Sequence, residues 1–210
     1  MISIIDYDAG NIKSVEKAIN FLGKEVIITR DRDEILSSEG VILPGVGSFG
    51  DAMGKLKSYE LIQTIYDYAD SGKPFLGICL GLQLMFKESE ETPGIAGLGL
   101  LDGKIIRIPN EDSEGNYYKV PHIGWNSIEV NKSSKLFNGI VDNSYVYFVH
   151  SYYLKAANPD DVAARTNYNV QIDAAVEKAN VMACQFHPEK SSDVGLKILA
   201  NFIKMTEEGK

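Results

Sequence analysis

Two cysteines among 210 residues are too few for a disulfide framework, and a reducing compartment would keep both as thiols. Lys and Arg number 21 against 29 Asp and Glu, a net charge of -8. That balance offers no basic face to nucleic acid and no polybasic segment to a membrane. Long apolar runs are missing too, so no stretch is expected to span a bilayer. Met1-Ile-Ser-Ile-Ile-Asp6 begins directly on a strand-like run, without the basic, apolar and cleavage segments of a secretory leader. The expectation is a cytoplasmic protein. Low-complexity tracts, internal repeats and like-charge blocks are absent. What remains, 44% hydrophobic and 24% charged residues, is ordinary for a globular chain with one core and one domain spanning 1–210, disordered only in its last few residues.

Strands and helices alternate through the first part of the chain. Ile2 to Tyr7 reads as a buried strand and Asp8 to Asn11 as a turn. A helix follows at Ile12 to Leu22, with Ile12, Val15, Ile19 and Leu22 on one face and Gly23 as its stop. Val26 to Thr29 and Gly40 to Leu43 read as strands around a partly helical stretch at Asp31 to Ser38. Tyr59 to Ala69 reads as the next helix. This alternation predicts an α/β fold with a doubly wound, mostly parallel sheet flanked by helices. Residues 88–99 form a polar, then glycine-rich connection. After it, short β-type runs at 104–108, 127–130, 145–149, 162–166, 170–177 and 181–186 predict an added mixed or antiparallel region. Asn110 to Asn116 reads as a flexible loop, and Val194 to Met205 as a closing helix.

Lys73 to Phe86, KPFLGICLGLQLMF, organises the rest. Pro74 to Ile78 is a short apolar run of the kind that forms a buried parallel strand, and Leu82 to Phe86 restarts with helix formers. Cys79 sits at the junction. Gly77 and Gly81, two residues to either side, allow a sharp strand-to-helix turn through which neighbouring chain passes closely. Such a turn lifts a side chain off the sheet edge and sets it at a helix N-terminus, where unpaired N–H groups favour a thiolate. By itself the pattern also suits a glycine-eased turn around a buried cysteine. Cys184, inside the run Val181 to Phe186, reads as a small buried hydrophobe.

Only three histidines exist to serve as a base. His187 follows an apolar strand in Cys184-Gln-Phe-His-Pro-Glu189 and so lies at a strand's carboxyl end, where ligands bind in open α/β sheets. Pro188 biases His187 toward extended backbone, which turns His187 and Glu189 to one side. Cys79, His187 and Glu189 thus supply a nucleophile, a base and an orienting acid. Pro44-Gly-Val-Gly-Ser-Phe-Gly50 is a loop able to aim the N–H groups of Val46 and Gly47 at an oxyanion, helped by that of Leu80. Its glycines also spell Gly-x-Gly-x-x-Gly. A dinucleotide site wants an acid at the end of the following strand about 20 residues on, whereas Asp70 ends a predicted helix, so no dinucleotide is expected. No cluster has zinc-ligand spacing, and neither metal nor cofactor is expected.

Gly77-Ile-Cys-Leu-Gly-Leu-Gln83, His187-Pro-Glu189 and Pro44-Gly-Val-Gly47 together resemble the class I (triad) glutamine amidotransferases over nearly the whole chain. That resemblance implies a flavodoxin-like fold, a single amidotransferase domain and hydrolysis of L-glutamine through a cysteine thioester. Asp6-Tyr-Asp-Ala-Gly-Asn11, Val120-Pro-His-Ile-Gly-Trp-Asn126 and His187-Pro-Glu-Lys-Ser191 look like the glutaminase subunits of imidazole glycerol phosphate synthases, of histidine biosynthesis. The resemblance then implies a heterodimer in which ammonia passes to a (β/α)8 cyclase subunit. It also implies that Gly47, Gln83, Glu91, Ser151 and Tyr152 hold glutamine, and that Asn11, Trp125, Tyr147 and Lys190 face the partner and the ammonia passage. Rivals are a glutaminase serving another synthase such as that for anthranilate, a stand-alone cysteine hydrolase of γ-glutamyl compounds, and a non-catalytic binding module.

Overall fold

The computed structural model describes residues 1–208; of the last few residues expected to be disordered, Gly209 and Lys210 lie outside the described residues. The first part of the chain forms β1 (Ile2–Ile5), α1 (Ile12–Phe21), β2 (Val26–Thr29), α2 (Arg32–Ser37), β3 (Gly40–Leu43), α3 (Phe49–Ser58), α4 (Leu61–Asp70), β4 (Phe75–Ile78) and α5 (Leu80–Leu84). There follow β5 (Phe86–Ser89), β6 (Leu101–Arg107), β7 (His122–Val130), β8 (Ser144–His150), β9 (Tyr152–Ala156), β10 (Val162–Asn167), β11 (Gln171–Lys178), β12 (Val181–Cys184) and α6 (Ser192–Glu208). No helix among the described residues is long and apolar enough to cross a membrane.

All the strands share one sheet, whose main path runs β2-β1-β3-β4-β12-β11-β10-β7-β8. From β2 to β12 neighbours are parallel. Beyond β12 they turn antiparallel, with β6 and β9 also paired antiparallel. The expected doubly wound sheet with a mixed extension is therefore present. β1, β3, β4 and β12 are buried along their whole length because helices cover both faces. Ile12, Val15 and Ile19 of α1 join Ile198, Leu199 and Phe202 of α6 on one side. Phe49 and Leu56 of α3 join Leu61, Ile65 and Tyr68 of α4 on the other. Register then fixes the functional edge: Leu43 pairs with Gly77 and Ile78 with Cys184, so the chain leaves β3, β4 and β12 at one level.

Several boundaries differ from expectation, each for a local reason. The loop from Pro44 ends early, because α3 begins at Phe49 and its N-cap Ser48 accepts the Asp51 N–H at 3.3 Å. Phe49, Ala52, Met53 and Leu56 are its buried stripe. The helix expected from Tyr59 starts at Leu61, after Glu60 takes a left-handed φ of 57°. Residues 86–89 are strand rather than helix end and connection, paired with β6. β7 extends back to His122, and β9 appears where no strand was expected, both through antiparallel pairing. The stretch Asn110 to Asn116 is a tight turn in which Asp112 Oδ1 accepts the N–H groups of Glu114 and Asn116, each at 2.9 Å.

Candidate active site

Cys79 lies between β4 and α5 at φ 54°, ψ -108°, a backbone that non-glycine residues rarely adopt. Its N–H donates to the Cys184 carbonyl at 2.8 Å, tying the turn to β12. The flanking glycines are required by contact. A Cβ on Gly77 would lie 2.9 Å from the Gly81 carbonyl oxygen, and one on Gly81 would overlap the Leu43 carbonyl oxygen. β3 is therefore drawn tightly against the turn.

His187 follows β12 and is 1% exposed. Its N–H donates to the Tyr147 carbonyl at 2.9 Å, and its own carbonyl accepts the Ser191 hydroxyl at 2.6 Å. Glu189 does face the same way as His187, but through a 3-10 turn at Pro188–Lys190 rather than extended chain. His187 Nδ1 lies 2.8 Å from Glu189 Oε1. Both side chains are out of solvent. Burial opposes charge on the imidazole, but Cys79 and Glu189 outweigh it and raise the His187 pKa to about 9. Among the described residues, His187 Nε2 is buried with no hydrogen-bond partner.

A cleft of about 310 Å³ joins these residues. Val46, Gly47, Cys79, Leu80, Gln83, Glu91, Ser151, Tyr152 and His187, all singled out in the sequence, line it with Pro121, Val149 and His150. Gln83 Nε2 donates to the Tyr152 carbonyl and to Gln185 Oε1, each at 3.1 Å. Glu91 accepts the Phe49 N–H at 2.8 Å. The Leu80 N–H donates to the Gly45 carbonyl at 3.2 Å, and the Pro44 carbonyl accepts the Tyr7 hydroxyl at 2.7 Å. Gly47 holds φ 106°. In this conformation the Leu80 amide is therefore occupied by the loop itself.

Sequence reasoning missed Gln185, fully buried with Nε2 3.9 Å from Cys79 Sγ. A glutamine within the apolar run 181–186 was the available signal. Cys184 is buried as expected, and its thiol pKa is pushed up by burial, then by Glu189 and Cys79. Asn11, Trp125, Tyr147 and Lys190 are not among the cleft's lining residues. Asn11 bonds Glu189, the Tyr147 carbonyl accepts the His187 N–H, and Lys190 ends the turn that carries Glu189. Trp125 is 51% exposed and meets Tyr147 edge-on across the β7–β8 pair, with ring centroids 6.1 Å apart.

The family model for class-I glutamine amidotransferases matches residues 3–205. The imidazole glycerol phosphate synthase subunit HisH of Bacillus cereus (strain G9842) is 48% identical over 211 residues, covering 100% of this chain and 97% of that protein. The HisH subunit of Methanocaldococcus jannaschii is 48% identical over 207 residues, covering 98% and 100%. Among solved structures, PurLQS from Thermotoga maritima superposes with a TM-score of 0.71 at 21% identity, covering 97% of each chain, a likeness of fold alone.

Proposed function

The chain belongs to the class-I glutamine amidotransferases, and from that premise we propose that it is the glutaminase subunit of an imidazole glycerol phosphate synthase, serving histidine biosynthesis. It hydrolyses L-glutamine and works with a cyclase subunit. The observation that carries the chemistry is the buried His187–Glu189 pair on the rim that bears Cys79 at a strained turn. The two relatives of 48% identity, both synthase subunits, favour this synthase over that for anthranilate.

In this reading Cys79 attacks the glutamine carboxamide carbon, and the oxyanion is held by the N–H groups of Val46, Gly47 and Leu80. His187 protonates the departing ammonia, and water then cleaves the thioester with His187 as base. Gly47, Gln83, Glu91, Ser151 and Tyr152 hold the substrate. The Leu80 amide reaches the oxyanion only after the Gly45 carbonyl releases it, so the competent loop differs from the one described above. Asn11, Trp125, Tyr147 and Lys190 face the cyclase, a (β/α)8 barrel that receives the ammonia, and the exposed Ile123, Trp125 and Tyr145 of the β7–β8 hairpin support a partner there.

The test is covalent labelling with a glutamine-derived electrophile, read by peptide mass, beside glutamine turnover by the chain alone, with the cyclase subunit and with cyclase plus acceptor ligand. Capture at Cys79 with turnover raised by the cyclase is expected. Labelling elsewhere would refute the nucleophile, and full activity indifferent to the cyclase would favour a stand-alone hydrolase.

A further inference from the structure

The proposed chemistry uses one histidine of three. His122 and His150 are both buried, and they touch: His122 Nδ1 lies 3.0 Å from His150 Nε2. The direction of every proton in the chain through them follows from its ends. His150 Nδ1 is 2.9 Å from the Tyr152 carbonyl, which can only accept, so Nδ1 carries the proton. At the other end, the Asn126 side-chain N–H₂ donates to the Asn167 carbonyl at 2.9 Å and reaches His122 Nε2 at 3.4 Å. His122 Nε2 is then the acceptor, His122 Nδ1 donates, and His150 Nε2 accepts. Both rings are neutral and locked in one tautomer. Burial depresses both pKa values, to about 4 for His122 and about 3 for His150, in keeping with that assignment. His122 is also clamped between Phe148 and Tyr168, with ring centroids 4.8 and 4.1 Å away.

His150 ends β8 and Tyr152 begins β9, so the two strands join through the single residue Ser151. Within that corner the Ser151 carbonyl accepts the Ile108 N–H at 2.9 Å. The Tyr152 carbonyl receives two side-chain donors, Gln83 Nε2 and His150 Nδ1. We propose that His150, set by His122, is a positioning residue of the glutamine cleft: its Nδ1–H fixes the Ser151–Tyr152 corner against which the substrate is held. This rests on the reading of the cleft as a glutamine site. The corner carries neither nucleophile nor base, so its effect falls on KM rather than on kcat.

The test uses the two nitrogens separately, in the complex with the cyclase subunit. An asparagine side chain places a donor near the Nδ1 position and a glutamine side chain reaches only the Nε2 position. His150→Ala is expected to raise KM for glutamine about tenfold with kcat within about threefold of wild type, the scale of one buried hydrogen bond. His150→Asn is expected to recover most of that loss, and His150→Gln none. Equal KM values for the Asn and Gln variants, or a loss confined to kcat, would overturn the proposal. Should the variants not fold, long-range proton–nitrogen spectra of the wild-type complex decide it. The His150 ring should show a protonated Nδ1 and a bare Nε2 between pH 6 and 8, and the opposite tautomer overturns the assignment. A wild-type complex that does not hydrolyse glutamine would sink the glutamine reading and this proposal with it, whereas normal turnover with indistinguishable variants sinks the proposal alone.

Discussion

Asn11 Nδ2 donates to Glu189 Oε1 at 2.6 Å, and the same oxygen lies 2.8 Å from His187 Nδ1. One carboxylate oxygen thus serves both a residue at the head of α1 and His187, while the other, Oε2, is buried with no hydrogen-bond partner among the described residues. Asn11 reaches this position from a left-handed backbone at φ 68°. A residue expected to face the partner is also bonded to the carboxylate that holds His187. Any movement of the chain at 10–12 is therefore felt by Glu189.

Removing that amide should slow the chemistry without weakening substrate binding. Asn11→Ala is expected to lower kcat about three- to tenfold at unchanged KM, in line with the net worth of one ordinary hydrogen bond. Asn11→Asp should be worse, since it presses a second carboxylate against a buried one. Steady-state glutamine hydrolysis by the complex measures both. An Asn11→Asp variant as active as wild type would show that Asn11 does not support the acid.

Cys79→Ala should abolish glutamine hydrolysis while synthesis from added ammonium and acceptor persists, because in the proposed division of labour the cyclase receives ammonia rather than glutamine. Cys79→Gly should be equally inactive yet more stable than Cys79→Ala, since glycine adopts φ 54° without the roughly 1–3 kcal/mol such a backbone costs other residues. Urea unfolding of the two variants compares them. Equal stability would argue that the turn is unstrained.

Gly81→Ala and Gly54→Ala should move stability in opposite directions. At Gly81 the new methyl group overlaps the Leu43 carbonyl, so β3 or the turn must shift, and a loss of about 3 kcal/mol or more is expected. Gly54 lies within α3 with nothing near its Cβ position, and alanine there should add about 0.5–1 kcal/mol. Thermal unfolding distinguishes them, and a neutral Gly81→Ala would mean the turn tolerates a looser path.

Much of this site was legible in the chain because the signals were local. Gly77-Ile-Cys-Leu-Gly81 dictates a tight turn through residues that must lack a Cβ, and His187-Pro-Glu189 fixes a short-range pair. What escaped reading depended on partners far away in sequence. The three glycines of 45–50 hid the start of α3, although Ser48 and Asp51 spell a capping pattern. β9 owes its place to antiparallel pairing with β6, far away in sequence. Gln185 gains its place from Gln83, 102 residues away, and His122 its place from His150. The occupation of the Leu80 amide by Gly45 is a choice of loop conformation that composition does not record.

The three histidines should leave opposite marks on the pH dependence of stability. His122 and His150 are held neutral, with folded pKa values of about 4 and 3, below the roughly 6.5 of an unfolded chain. Between those limits the unfolded state binds more protons, so their contribution is fully present above about pH 6.5 and is lost as the pH falls through about 4 for His122 and about 3 for His150. His187 runs the other way. Its folded pKa of about 9 exceeds the unfolded value, so its contribution is fully present below about pH 6.5 and is lost as the pH rises through 9. Urea unfolding from pH 4 to 9.5, read as the difference between wild type and each variant, isolates these terms from the carboxylates. The His150→Asn difference should change on the acid side, and the His187→Asn difference should change on the alkaline side, where loss of the Cys79 and Glu189 contacts matters. A His187→Asn difference that stays flat between about pH 6.5 and 9.5, or a pH-independent difference for His150→Asn, would contradict the charge states assigned to the three rings.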